Sequence, residues 1–154
     1  MQRKEFLKKT DPRNASKLKI GIVVARFNPD ITESMLAGAR EVLAAWGVQD
    51  RNIKVFHVYG SFDLTYAAGL IIKKQKPHAV IALGCIIKGE TDHDHHIASA
   101  VMHGLTDLTI KHGIPVSLGV LTTNNLAQAQ ERSRGKTNHG AKAAEAALDA
   151  ALLK

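Results

Sequence analysis

Leu18–Ala25 reads LKIGIVVA, a β-branched apolar run, and Asn28-Pro29-Asp30 follows as a turn and helix-cap signal. Such a run predicts a strand covered on both faces. The period then changes. Ile31, Met35, Leu36, Ala39, Val42 and Leu43 recur at helical spacing until Gly47 stops them. This strand-to-helix unit recurs down the chain without any detectable repeat of sequence. Asn52–Val58 predicts a second strand, Tyr59-Gly60-Ser61 breaks it, and Asp63–Lys74 carries Leu64, Ala67, Ala68, Ile71 and Ile72 at helical spacing before Pro77. His78–Ile87 is the most apolar strand. The loop Lys88–Thr91 leads to a long helix, Asp92–Lys111, with Ile97, Val101, Leu105, Leu108 and Ile110 expected to face inward. Gly113 and Pro115 precede a fourth strand, Val116–Leu121. Thr122-Thr123-Asn124-Asn125 should cap a short helix reaching about Arg132. Ser133–Gly140 reads as a basic loop, and Ala141–Leu153 as an alanine-rich helix.

Strands that alternate with helical crossovers form a parallel sheet with helices on both faces. The expected fold is therefore a three-layer α/β/α sandwich around a four-stranded parallel sheet. Ligands of such sheets bind outside the carboxyl ends of the strands. The loops to read are then 25–30, 59–63, 85–93 and 118–124.

Composition fits one soluble domain: 154 residues, 45% apolar and 23% charged. No apolar stretch approaches the ~20 residues a membrane span requires, which argues against a membrane partner. The single cysteine, Cys85, has no internal disulfide partner, so a cytoplasmic location is expected. The net charge is +7, of which residues 1–17 supply +4 from six bases and two acids. We divide the chain into this basic arm, 1–17, and a single domain, 18–154. The arm's bases are dispersed and build no aromatic stacking platform, so nucleic acid is not an expected partner. The remaining charge suits small anions.

The densest polar cluster is KGETDHDHH, residues 88–96, which opens the long helix. Free N–H groups and the helix dipole make such a place an anion site; equally, Thr91 or Asp92 can simply cap the helix. His93, His95 and His96, with Asp92 and Asp94, invite a metal reading, but three histidines within four helical residues point different ways, and neither H-E-x-x-H nor a cysteine pair accompanies them. The better division has one histidine facing the crevice as acid and base, the others being solvated or at a contact. Arg132, with Arg134 and Lys136, can clamp a phosphate or simply sit solvated at a helix end. Phe27 and Phe62 stand at strand ends, where each either stacks on a flat ring or joins the core. No G-x-G-x-x-G follows the first strand, and no G-x-x-x-x-G-K-[ST] or G-x-S-x-G appears.

In order along the chain, Arg26-Phe27-Asn28, Gly60-Ser61-Phe62-Asp63, Gly84–Thr91 followed by His93, Gly119–Thr123, Gln128-Ala129 and Glu131-Arg132 resemble the lumazine synthase family. The resemblance covers about residues 18–153. It implies a flavodoxin-like fold and condensation of 5-amino-6-(D-ribitylamino)uracil with 3,4-dihydroxy-2-butanone 4-phosphate, giving 6,7-dimethyl-8-ribityllumazine, phosphate and water in riboflavin biosynthesis. It implies that Phe27 stacks on the pyrimidine, that Ser61, Phe62 and Asp63 hold the ribityl chain, and that Cys85, Ile86 and Ile87 line the uracil site through backbone groups. Glu90, Thr91 and Arg132 would bind phosphate, and His93 would shuttle protons. Asn28, Lys88 and Lys136 are further candidates. No cofactor and no metal are implied. The expected assembly is a pentamer or a multiple of pentamers with sites at subunit contacts, the arm adding a strand to a neighbour, and riboflavin synthase is a candidate partner.

The chain also departs from the family pattern. Tyr59 and Thr65 replace usual prolines, Asp63 a usual glutamate, Lys88 a common arginine, and His139 a frequent lysine. Asp94-His95-His96 replaces a more aromatic segment, and loop 133–140 is shorter by about one residue. Leu118 stands where an aromatic often completes the pocket across a subunit contact. Three rival readings follow: a flavin- or lumazine-binding module, a catalytically silent shell protein, and a metal hydrolase built on His93, His95 or His96.

Overall fold

The computed structural model describes residues 12–153. Four strands, β1 (Ile20–Ala25), β2 (Ile53–Val58), β3 (Ala79–Ile87) and β4 (Val116–Thr123), form one parallel sheet in the order β2-β1-β3-β4. The helices are α1 (Pro29–Ala45), α2 (Leu64–Gln75), α3 (His93–His112), α4 (Leu126–Arg132) and α5 (His139–Ala151). The result is the expected three-layer sandwich of flavodoxin-like strand order.

Strand position accounts for the sequence patterns. β1 and β3 are central, so both faces are covered and the runs are continuously apolar. Ile20, Ile22 and Val24 of β1, with Ala79, Ile81, Leu83 and Cys85 of β3, enter the core shared with α1 and α5. Val23 and Ala25, with Val80, Ala82 and Ile86, enter the core shared with α2 and α3. β2 is an edge strand, and its side chains are half-buried or exposed. On the first face α5 crosses α1 very closely. A Cβ on Gly140 would lie 2.0 Å from the Met35 carbonyl oxygen, so only glycine fits there.

Several boundaries differ from the sequence reading. Thr122 and Thr123 belong to β4, paired with Ile86 and Ile87, and Asn125 alone caps α4 by accepting from the Gln128 N–H at 2.9 Å. α5 starts two residues earlier than expected because the Asn138 carboxamide accepts from the N–H groups of Gly140 (2.8 Å) and Ala141 (3.1 Å). Ile110, expected inward, is 77% exposed. It lies five residues after buried Leu105, roughly 140° around the helix.

Most of the basic arm, residues 1–11, lies outside the described residues, so its expected strand addition to a neighbour lies there too. The part that follows docks on its own chain. The Ala15 N–H donates to the Trp46 carbonyl at 2.8 Å, and Arg13 pairs with Asp149 while its guanidinium lies 5.3 Å from the centre of the Trp46 ring. Among the described residues, no helix is long and apolar enough to cross a membrane.

Candidate active site

β1 and β3 are adjacent, and the crossovers leaving them pack on opposite faces of the sheet: α1 in one core, α3 in the other. That switch point opens a crevice at the carboxyl ends of the strands. A groove of about 600 Å³ occupies it, walled by Phe27 and Asn28 after β1, by 59–63 after β2, by Cys85, Ile86 and Ile87 of β3, and by Gly89, Thr91, His93, Asp94 and Ile97 beyond.

The first wall is built by continuing the ladder beyond the strands. The Arg26 N–H donates to the Val58 carbonyl (2.7 Å) and the Phe27 N–H to that of Tyr59 (3.1 Å). Asn28 then turns left-handed, φ 58° and ψ 60°, a conformation that costs a non-glycine residue ~1–2 kcal/mol. Its side chain offsets this by donating from Nδ2 to the Cys85 carbonyl at 3.1 Å, tying β1 to β3 across the groove floor. Phe27 is left 61% exposed and Phe62 65% exposed. Neither joins the core; both line the groove.

The second wall is a tight 3₁₀ turn, Ser61–Asp63. Asp63 accepts the Gly60 N–H on Oδ2 at 3.0 Å, while its own N–H donates to the Gly60 carbonyl at 3.1 Å. Ser61 is buried against β3, where a Cβ on Gly84 would lie 2.5 Å from the Ser61 Oγ. Gly84 therefore sets how closely this turn approaches the strand.

The Cys85 side chain points into the α1/α5 core and is 2% exposed; burial pushes its thiol up to about 11. Near neutrality it is a protonated, shielded thiol, unsuited to nucleophilic work. Its contribution to the groove floor is its backbone.

The third wall is the start of α3. Asp92 holds the cap position yet makes no capping hydrogen bond, and the Thr91 hydroxyl accepts from the His93 N–H at only 3.4 Å. The helix terminus thus keeps free donors beside the groove. Of the three clustered histidines only His93 lines the groove. His95 and His96 are exposed, their ring centres 5.9 Å apart and edge-on. Among the described residues, no three histidine, cysteine, aspartate or glutamate side chains converge as a metal site would require.

Other candidates stand apart from this groove. Glu90 and Lys88 are exposed on the loop that rims it, the Lys88 N–H donating to the Thr123 carbonyl at 2.8 Å. Leu118 is exposed on the edge strand β4. Arg132 ends α4, donating to the Gln128 carbonyl (3.1 Å) beside the Glu131 carboxylate (3.6 Å). Lys136 lines a different cleft of about 770 Å³ between α1 and α5. In one chain, then, Leu118 and Arg132 do not meet Phe27 and His93.

Tyr59, Gly60, Gly89, Asp94 and Ile97 line the groove as well, none of them among the expected substrate-binding or catalytic residues. Tyr59 read as a chain break, and Asp94 as one of the acids clustered with the histidines. The available signal for Asp94 is its spacing: it falls three residues before Ile97 and seven before Val101, on the inward stripe of α3.

Comparison with known proteins agrees with this arrangement. Residues 17–154 match the family described as 6,7-dimethyl-8-ribityllumazine synthase. A protein of that name from Porphyromonas gingivalis is 45% identical over 133 residues, 86% of this chain and 81% of its own length. One from Cytophaga hutchinsonii is 45% identical over 137 residues, covering 89% and 85%. One from Limosilactobacillus reuteri is 38% identical over 147 residues, covering 95% and 93%. With the fold, the groove and these matches together, the chain belongs to the 6,7-dimethyl-8-ribityllumazine synthase family.

Proposed function

We propose that this chain catalyses the condensation of 5-amino-6-(D-ribitylamino)uracil with 3,4-dihydroxy-2-butanone 4-phosphate to 6,7-dimethyl-8-ribityllumazine, a step of riboflavin biosynthesis, in a cytoplasmic setting. The observation that carries the reading is the groove itself. Two exposed phenylalanine rings, an ordered polar turn and a histidine at a helix N-terminus share one crevice at the sheet's switch point. Phe27 stacks on the pyrimidine, and the turn Ser61–Asp63 receives the ribityl chain. Backbone groups of Cys85, Ile86 and Ile87 meet the edge of the ring.

Imine formation, phosphate elimination and ring closure each move protons, and His93 serves them from the groove wall. Departing phosphate develops charge best met by donors already in place. The free N–H groups at the start of α3, with Thr91, supply some of them, and Arg132 supplies the cation. Holding both reactants together contributes further through effective molarity.

Arg132 and Leu118 lie off the groove of their own chain, on α4 and β4, so the reading requires a second copy. Large apolar side chains stand exposed towards both sheet edges: Phe56, Tyr59 and Tyr66 on and beside β2, Leu118 on β4 and Leu126 on α4. Dissimilar sticky edges favour head-to-tail rings. In a pentameric ring, or a multiple of it, each copy brings its β4 edge, with Leu118 and Arg132, onto the groove of the next, and residues 1–17 act as an arm towards a neighbour.

The test mixes the purified protein with both substrates and follows lumazine absorbance and fluorescence against the uncatalysed condensation, with His93→Ala and Arg132→Ala alongside. The expected result is a wild-type rate well above background and a loss in each variant. A folded oligomer that gives only the background rate overturns the reading and leaves a shell protein or a binding module.

A further inference from the structure

The end of the sheet opposite the groove carries a smaller recess. It encloses about 180 Å³ between the starts of β1 and β2 and the end of α2. Three cationic side chains line it: Lys19 just before β1, Arg51 in the 3₁₀ turn leading into β2, and Lys54 on β2. The carboxamides of Asn52 and Gln75 join them. All three cations are exposed and open to a ligand. Among the described residues, no carboxylate lines the recess, and none of the ion pairs of the fold involves Lys19, Arg51 or Lys54.

The fold determines where these charges meet. Ile20 and Ile53 pair across the ladder and both pack on the core shared with α1 and α5. The next pair, Gly21 and Lys54, therefore faces the other way, towards α2. There α2 comes close to β1, since a Cβ on Gly21 would lie 2.7 Å from Ile71 Cγ2. The Lys19 N–H donates to His78 Nδ1 and the His78 N–H to the Lys19 carbonyl, each at 2.8 Å, which fixes the backbone that carries Lys19. A helix C-terminus favours nearby cations through its dipole, but Lys73 and Lys74 in the last turn of α2 already meet that demand. Three further cations around one recess repel each other, and an anion between them relieves the repulsion.

We propose that this recess binds a small, multiply charged phosphate, of which inorganic pyrophosphate is the probe. Its volume lies below the roughly 300–1,000 Å³ of pockets that enclose drug-sized organic ligands, so the ligand is compact. The donors are two ammonium groups, a guanidinium fork and two carboxamides, with no aromatic ring to receive a base. Such a set matches the several acceptor oxygens and high charge of condensed phosphate. The site is separate from the groove and does not depend on the condensation proposed above.

The test is made on the assembled Arg132→Ala protein, which lacks the cation proposed to hold phosphate in the groove. Pyrophosphate is titrated calorimetrically into this parent, into the same chain carrying Arg51→Gln, and into one carrying Lys19→Gln, Arg51→Gln and Lys54→Gln together. The parent should bind one pyrophosphate per chain, more weakly as sodium chloride is raised. Arg51→Gln should weaken binding by about tenfold, and the triple substitution should abolish it. Without ligand and at low salt, the triple variant should melt at or above the temperature of its parent, because the mutual repulsion is gone. Binding that is absent in the parent, or equally tight in parent and triple variant, overturns the proposal. So does a triple variant that melts well below its parent, which assigns the cations to the end of α2. ADP titrated in parallel should bind no more tightly than pyrophosphate; a clear preference for ADP overturns the assignment to a free small phosphate.

Discussion

Two concavities stand out among the described residues, and the larger of them is not the better candidate for chemistry. The cleft between α1 and α5 encloses about 770 Å³ and is lined by Arg134, Lys136, Lys142, Glu41 and Glu145 among others. Its buried polar groups serve the fold. The Asn138 carboxamide donates to the carbonyls of Ser34 (3.0 Å) and Ser133 (2.8 Å), and accepts from two N–H groups at the start of α5. The Ser34 hydroxyl adds a bond to the Ser133 carbonyl at 2.7 Å. The groove at the strand ends is smaller, at about 600 Å³, but it holds what a fold does not need: two exposed phenylalanines, a left-handed asparagine, and a carboxylate oxygen without a donor. Volume does not mark the site. Groups held at a cost to stability do.

Substitutions on the two sides should therefore separate stability from binding. The largest effect is expected from Asn138→Ala, which removes a helix cap, one bond to α1 at Ser34 and one bond within the loop before α5 at Ser133. Denaturant unfolding should show a loss of about 3 kcal/mol. Lumazine affinity, titrated well below the melting temperature, should stay within twofold. His93→Ala should do the reverse, lowering turnover by roughly a hundredfold with an unchanged melting temperature. A fall in stability equal to that of the first variant would erase the distinction.

Phe27→Ala sharpens the comparison further. The ring is mostly exposed, so its loss should barely move the unfolding midpoint. Affinity for the product should nevertheless fall about tenfold, the scale of a base stacked on an aromatic ring. Thermal melting reads the first quantity, and calorimetric titration the second.

The smallest effect concerns Cys85. Its thiol is raised from 9.0 to about 11 in the fold, so between those values the unfolded chain has lost a proton that the folded chain keeps. The contribution of this site is thus unchanged below pH 9 and falls as pH rises from 9 towards 11, by on the order of 2 kcal/mol. Unfolding free energies of wild type and Cys85→Ala, compared at pH 8 and pH 10.5, should converge at the higher pH. A constant difference across that range would contradict the burial argument.

The layered fold was legible because burial on two faces writes itself plainly: Ile20–Ala25 and Ala79–Ile87 are apolar throughout as central strands, while Ile53–Val58 mixes characters at an edge. Topology then named the loops. What spacing cannot convey is distance between loops. Leu118 was expected to reach the pocket across a subunit contact, and within one chain β4 and α4 do hold Leu118 and Arg132 away from the groove of Phe27 and His93. Ile110 was misplaced because five residues along a helix do not return to the same face. Asp94 read as one of the acids clustered with the histidines, and only its unmet oxygen in the folded chain singles it out.

The central claim is that the groove becomes a complete site only when a second copy adds Arg132 to the His93 of the first. Co-assembly tests it directly. His93→Ala and Arg132→Ala chains, each inactive alone, are unfolded together, refolded in equal amounts and assayed for lumazine formation. If the two residues come from different chains, about a quarter of the sites in the mixed rings combine an intact His93 with an intact Arg132, and activity returns to that level. If the mixed oligomer stays at the rate of its inactive parents, both residues serve from one chain, and the shared-site account is wrong.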